Sequence, residues 1–136
     1  MMTRFLDPQT VHEPVGAYSH TVSIPAGTEM VFLSGQVGVR PDGSIPETFA
    51  EQADWVFKNI RACVEAHGLA MDAIVKLTCF VLSGQDMNVF REVRQQYLGH
   101  HRPASTVVYV PQLVGPSFLV EVEAVAVKAG HATDER

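Results

Sequence analysis

The sequence predicts an α+β domain in which one mixed sheet carries two helices on a single face. Three observations support this. Five short apolar stretches, alternating or unbroken, are bounded by Gly and Pro and read as strands. Two longer stretches place apolar residues three and four apart and read as amphipathic helices. Their order is strand, strand, helix, strand, helix, strand, strand, which leaves the helices able to cover one sheet face only. With 136 residues the chain suits one domain over residues 1–136, large enough to bury roughly two-thirds of the surface of its unfolded form.

Thr3 to Val15, punctuated by Pro8 and Pro14, reads as an edge strand or extended arm. Tyr18, His20, Val22 and Ile24 then alternate onto one face. The turn Pro25-Ala26-Gly27-Thr28 links this strand to Glu29–Val39, predicting a hairpin. Ser34-Gly35 interrupts that second strand, and a Gly there marks a bulge or a close backbone approach. From Thr48 the period changes, with Phe49, Ala53, Val56, Phe57, Ile60, Cys63 and Val64 on one helical stripe and Gly68 at its C-terminal cap. Trp55 lies off that stripe. Ala73 to Leu82 is apolar on both faces apart from Lys76 and Thr78, as a central strand should be.

Asp86 is an N-cap for a second helix with apolar positions Val89, Phe90, Val93, Tyr97 and Leu98, ended by Gly99. Strands at Ser105–Val110 and Phe118–Lys128 complete the set, and the polar tail 129–136 is expected to fray. Phe32, Val108 and Val120 are too much apolar strand surface for a sheet with one face in water, so self-association is expected.

The composition excludes several classes of function. A net charge of −5 with no basic block argues against nucleic acid as a partner. No stretch approaches the roughly 18 apolar residues of a membrane span, so a cytoplasmic protein is expected. Cys63 and Cys79 sit in separate apolar runs and read as buried hydrophobes, not as a disulfide or metal ligands. His100-His101-Arg102 is dense in titratable groups, but no second cluster at ligand spacing exists, so no metal is expected. Its plain reading is a solvated loop whose positive charge faces the helix's negative end. No Gly-x-Ser-x-Gly elbow is present.

Val120-Glu121-Val122-Glu123 places two carboxylates on one strand face. Glu is seldom buried unpaired, so that face opens onto solvent, a partner or a ligand. Tyr18, Ser34 and Thr106 are positioned to converge with it.

Gly16-Ala17-Tyr18-Ser19, Leu33-Ser34-Gly35-Gln36, Asp86-Met87-Asn88, Pro103-Ala104-Ser105-Thr106 and Val120–Val127 occur in the order in which the RidA/YjgF family, also called L-PSP, carries similar motifs. The chain resembles that family over almost its whole length. The resemblance implies a chorismate-mutase-like fold and a homotrimer whose sheets pack into a central barrel, with small-molecule clefts between subunits. It further implies hydrolysis of enamines and imines such as 2-aminoacrylate to a keto acid and ammonia, with no cofactor. Glu121 would position or activate the attacking water, and Tyr18, Ser34, Gly35, Ser105 and Thr106 would line the pocket; Asn88 and Glu123 are further candidates.

This chain departs from the family in one respect. Deaminating members carry Arg in Pro-Ala-Arg-Ser, where it binds the substrate carboxylate; here Ser105 offers one neutral donor. Loss of such a buried contact costs roughly 2 to 5 kcal/mol. Arg102 is a substitute only if a bent loop returns it across roughly 10 Å. His20, on the face of Tyr18, is a further source of charge or a proton relay. The expected function is thus an imine deaminase with altered or lost specificity, or alternatively a non-catalytic trimer that binds a small metabolite or has a regulatory role.

Overall fold

A computed structural model describes residues 2–128. The strands are β1 (Arg4–Leu6), β2 (Thr21–Ser23), β3 (Glu29–Val37), β4 (Ile74–Leu82), β5 (Ala104–Val110) and β6 (Val120–Lys128). The helices are α1 (Phe49–Glu65) and α2 (Met87–Leu98), and a 3-10 turn at Met71–Ala73 leads into β4. The main sheet has the order β3-β6-β4-β5. Only β4 and β5 are parallel, and α2 makes the crossover between them that parallel pairing requires.

Both helices begin and end where local chemistry directs. The Thr48 hydroxyl accepts from the backbone N–H of Glu51 at the start of α1, satisfying a donor that the first turn leaves free. At its end Gly68, at φ 75°, lies in the left-handed region. There the N–H of Leu69 donates to Val64 and that of Gly68 to Glu65, the paired bonds of a Schellman ending. Asp86 caps α2 through the N–H of Asn88.

The predicted stripe of α1 is buried at Phe49, Ala53, Val56, Phe57, Ile60 and Val64, while Cys63 is only partly covered. It packs on Val31, Leu33, Leu77, Cys79, Val81, Val122 and Ala124 of the sheet. Gln52, also buried, donates to the carbonyls of Pro46 and Ser117 and accepts from the N–H of Leu119. A single polar side chain thereby ties two loops to α1.

The predicted hairpin between the second and third strands does not form. β2 pairs with β1 in a separate two-stranded sheet, Phe5 opposite Val22. Side chains specify this pairing: Asp7 accepts from the backbone N–H of His20 at 2.7 Å, and the Thr21 hydroxyl donates to the Leu6 carbonyl at 2.6 Å. Ser19 anchors the ribbon near the start of β5, its N–H donating to Pro103 and its hydroxyl to Arg102. The main sheet therefore has four strands, and the arm expected before Val15 supplies the partner of β2.

The face of the main sheet away from the helices carries Phe32 and Val108, 65% and 40% exposed. Val120, grouped with them by pattern, instead pairs with Val81 on the helix side and is fully buried. No helix among the described residues is long and apolar enough to cross a membrane. The polar tail from Ala129 lies outside the described residues.

Candidate active site

Glu121 sits opposite Phe80 on β4 and Val37 on β3, on the open sheet face. The β3–β6 register shifts between Leu33 and Gln36, so Ser34 and Gly35 form the irregularity that a Gly inside a strand suggested. Its purpose is visible in the space above Gly35. A Cβ built there would lie 1.9 Å from Glu121 Oε2 and 2.8 Å from its Cδ. The carboxylate thus rests directly on the Gly35 backbone, a position that no other residue type leaves open. Glu123 is exposed one pleat further on, opposite Thr78. Across β4, Thr106 faces the same side and accepts a hydrogen bond from Lys76 Nζ at 2.9 Å.

A second group forms around the N-terminal ribbon. His20 stands edge-on to Tyr18 at 5.6 Å and to His12 at 4.9 Å between ring centroids. Both residues precede β2, which begins at Thr21, so their rings meet in a bend and not on the strand face that was predicted. The Tyr18 hydroxyl accepts from the Val15 N–H, and His20 Nε2 donates to the His12 carbonyl at 2.6 Å. Tyr18 lines a cavity of about 620 Å³ with Asp7, His12, Glu13 and Arg102. Arg102 itself turns back on the end of α2, donating to the Gly99 carbonyl at 2.6 Å, where the helix dipole favours a cation. Asn88 is exposed in the first turn of α2.

Ser105 belongs to neither group. It pairs with Leu77, whose side is the helix-facing core, whereas Glu121 pairs with Phe80 on the open side. Within the chain the two residues lie on opposite faces of the sheet. The Ser105 hydroxyl is buried and has no hydrogen-bond partner of normal geometry among the described residues. Beside it, burial pushes the Cys79 thiol up to about 12, partly offset by the charges of Arg94 and Lys76 and by Ser105.

Arg94 is the residue that the sequence reading passed over. It is 7% exposed on the sheet-facing side of α2, with its guanidinium 5.7 Å from the Phe90 ring. Burial lowers its pKa from the usual arginine value. The signal was available, because Arg94 falls four residues after Phe90 and four before Leu98, in phase with the apolar stripe.

The described residues contain no group of three or more His, Cys, Asp or Glu able to hold a metal ion. What the geometry offers is a carboxylate on a glycine shelf and a hollow lined by the Tyr18 hydroxyl and the His12 imidazole.

Known proteins share this fold. The model of the endoribonuclease L-PSP family matches residues 9–128. The chain is 36% identical to a RutC family protein of Aquifex aeolicus, across 85% of this chain and 91% of that one. It is 32% identical to TdcF of Escherichia coli strain K12, whose name places it with the reactive intermediate deaminases, across 94% and 99%. The crystal structure of E. coli TdcF with bound serine superposes with a TM-score of 0.69, covering 93% of this chain and 99% of that one. YyfB of Yersinia pestis, a Rid family protein of unknown function, superposes at 0.82 with 24% identity, covering 94% and 100%, and shares the fold. The mixed α+β fold with two helices on a sheet is therefore common to these proteins, and this chain belongs to the endoribonuclease L-PSP family, that of RidA and YjgF.

Proposed function

We propose that the protein is a deaminase that hydrolyses a small enamine or imine to a carbonyl compound and ammonia. The observation that carries this is the Glu121 carboxylate seated on Gly35 at the β3 irregularity. A base held there takes a proton from water as its oxygen adds to the imine carbon. Returned to nitrogen, that proton completes a neutral carbinolamine, and transfer of its hydroxyl proton to the nitrogen by way of the same carboxylate lets it collapse to the carbonyl with loss of ammonia. The imine carbon is already electrophilic, so no cofactor enters the scheme. Ser34 and Gly35, outside the ladder to β6, line the substrate's path, with Tyr18 and Thr106 as further contacts.

The active form is proposed to be a cytoplasmic homotrimer whose sheets form a central barrel around the open faces. Exposed Phe32 and Val108 support it. So does the placement of Glu121 and Ser105 on opposite faces, since a cleft that uses both must be built from two copies. Specificity is altered relative to deaminating relatives, because Ser105 stands where they carry the carboxylate-binding Arg. The net charge of −5 weighs against RNA as substrate.

A second reading, a trimer that binds a small metabolite without reaction, is favoured by the serine in the TdcF structure, since serine is not an imine. The test is ammonia release from enzymatically generated 2-aminoacrylate and from a panel of charged and uncharged imines. Turnover lost by at least about 100-fold in Glu121→Gln is the expected result. A protein that binds amino acids but hydrolyses no imine above buffer favours the second reading.

A further inference from the structure

We propose that Ser19 is a positioning residue that docks the N-terminal ribbon on the rest of the domain and so fixes Tyr18 in its hollow. This rests on the deaminase reading only for what Tyr18 contacts.

The ribbon cannot hold itself in place. β1 and β2 are three residues each and form a sheet of their own, and such a pair is marginally stable in water unless it packs on something else. Its Phe5 and Leu6 are exposed, so little apolar cover secures it. Among the described residues, both hydrogen bonds that join the chain before β3 to the rest of the domain are made by Ser19. Its N–H donates to the Pro103 carbonyl at 3.2 Å and its hydroxyl to the Arg102 carbonyl. Beside them, the Phe5 ring stands edge-on to His101 at 5.4 Å between centroids. Ser19 is 5% exposed, so water does not replace a bond that it loses.

Both ends of this link are firmly held. On one side His101 Nε2 donates to the Ile74 carbonyl, the Arg102 guanidinium donates to the Gly99 carbonyl, and Pro103 is fully buried directly before β5. On the other, the Tyr18 N–H donates to Gly16 and its hydroxyl accepts from Val15, while His20 is bonded to Asp7 and His12. Ser19 lies between Tyr18 and His20 and joins the two halves. The hollow of about 620 Å³ straddles the same junction, with Asp7, His12, Glu13 and Tyr18 on the ribbon side and Arg102 on the other. Because the Ser19 hydroxyl bonds the backbone of that Arg102, it sets how far Tyr18 stands from the entrance to β5. Without the hydroxyl the ribbon keeps one N–H as its tie and the Arg102 carbonyl loses a donor, so the ribbon opens more often.

The test is Ser19→Ala in the whole protein, with hydrogen–deuterium exchange and imine hydrolysis measured on one preparation. Exchange in peptides covering residues 4–23 should quicken about tenfold, while β3, β4 and β6 stay within twofold of wild type. The same variant should lower kcat/KM at least about tenfold, since misplacing a site group by 1 Å costs on the order of 100-fold. Added to Tyr18→Ala, Ser19→Ala should cost nothing further, because the group it positions is gone; a loss of fold stability alone would add to the first. Unchanged exchange in residues 4–23 overturns the proposal whether or not any imine is hydrolysed. Faster exchange there with kcat/KM within threefold of wild type, or additive losses in the double variant, also overturns it and leaves the deaminase standing. If the wild-type protein hydrolyses no imine, the deaminase reading falls, and the docking role of Ser19 stands or falls on the exchange result.

Discussion

Gly35→Ala separates the placement of Glu121 from the stability of the sheet. The added Cβ would meet Glu121 Oε2 at 1.9 Å, and ordinary van der Waals contact begins near 3.4 Å, so the oxygen must retreat by about 1.5 Å. The obstructing atoms belong to the end of a flexible side chain, which can swing away at little cost to the fold. Stability should fall by no more than about 1 kcal/mol, a few degrees in Tm for a chain of this size. Displacing a catalytic group by 1 Å costs on the order of 100-fold in rate, so kcat/KM for imine hydrolysis should drop by about that factor. Thermal unfolding and steady-state kinetics on the same preparation measure both. In the double variant with Glu121→Ala, Gly35→Ala should add nothing further, because the group it displaces is absent. Activity within threefold of wild type in folded Gly35→Ala would refute the assignment of Glu121.

Gly38→Ala makes the opposite prediction. Its Cβ would meet the carbonyl oxygen, Cα and Cβ of Gln52 at 2.6 to 2.8 Å, and a helix backbone cannot swing aside, so urea unfolding should show a loss of about 3 kcal/mol. Gln52→Leu leaves two carbonyls and one N–H without their buried partner and should cost about 2 to 3 kcal/mol by the same measurement. At alkaline pH the folded chain keeps the Cys79 proton that the unfolded chain releases. The stability linked to it is complete below pH 9.0 and is lost as pH rises toward about 12. The slope there is up to about 1.4 kcal/mol per pH unit, and Cys79→Ala should remove that share. Tyr97, raised from 10.0 to about 12 by burial and its hydrogen bond to Asp54, should still contribute a slope of the same sign over that narrower window.

Periodicity located both helices because burial of one stripe leaves a mark every three or four residues. The stripe of α1 and the cap at Asp86 are observed as read. The Ser34-Gly35 irregularity was equally legible, since a Gly in an apolar strand has few other reasons to be there. The hairpin was not: alternation from Tyr18 to Ile24 says that a strand exists and is silent on its partner. Asp7, Ser19 and Thr21 settle that choice through hydrogen bonds 13, 83 and 15 residues apart in sequence. Val120 was misplaced for a related reason, because both faces of a central sheet are apolar and pattern alone cannot orient them.

The sequence by itself determined the elements, their order and the motifs of the family, because these are set by spacing along one chain. It also put Glu121 and Glu123 on the sheet face away from the core, since carboxylates alternating with valines must face away from it. Only the tertiary structure decided which groups meet. It seated Glu121 on Gly35, turned Ser105 to the opposite face and buried Arg94 on the sheet-facing side of α2. These relations depend on register and on the packing of α2 against the sheet, which bring together residues that no local pattern connects.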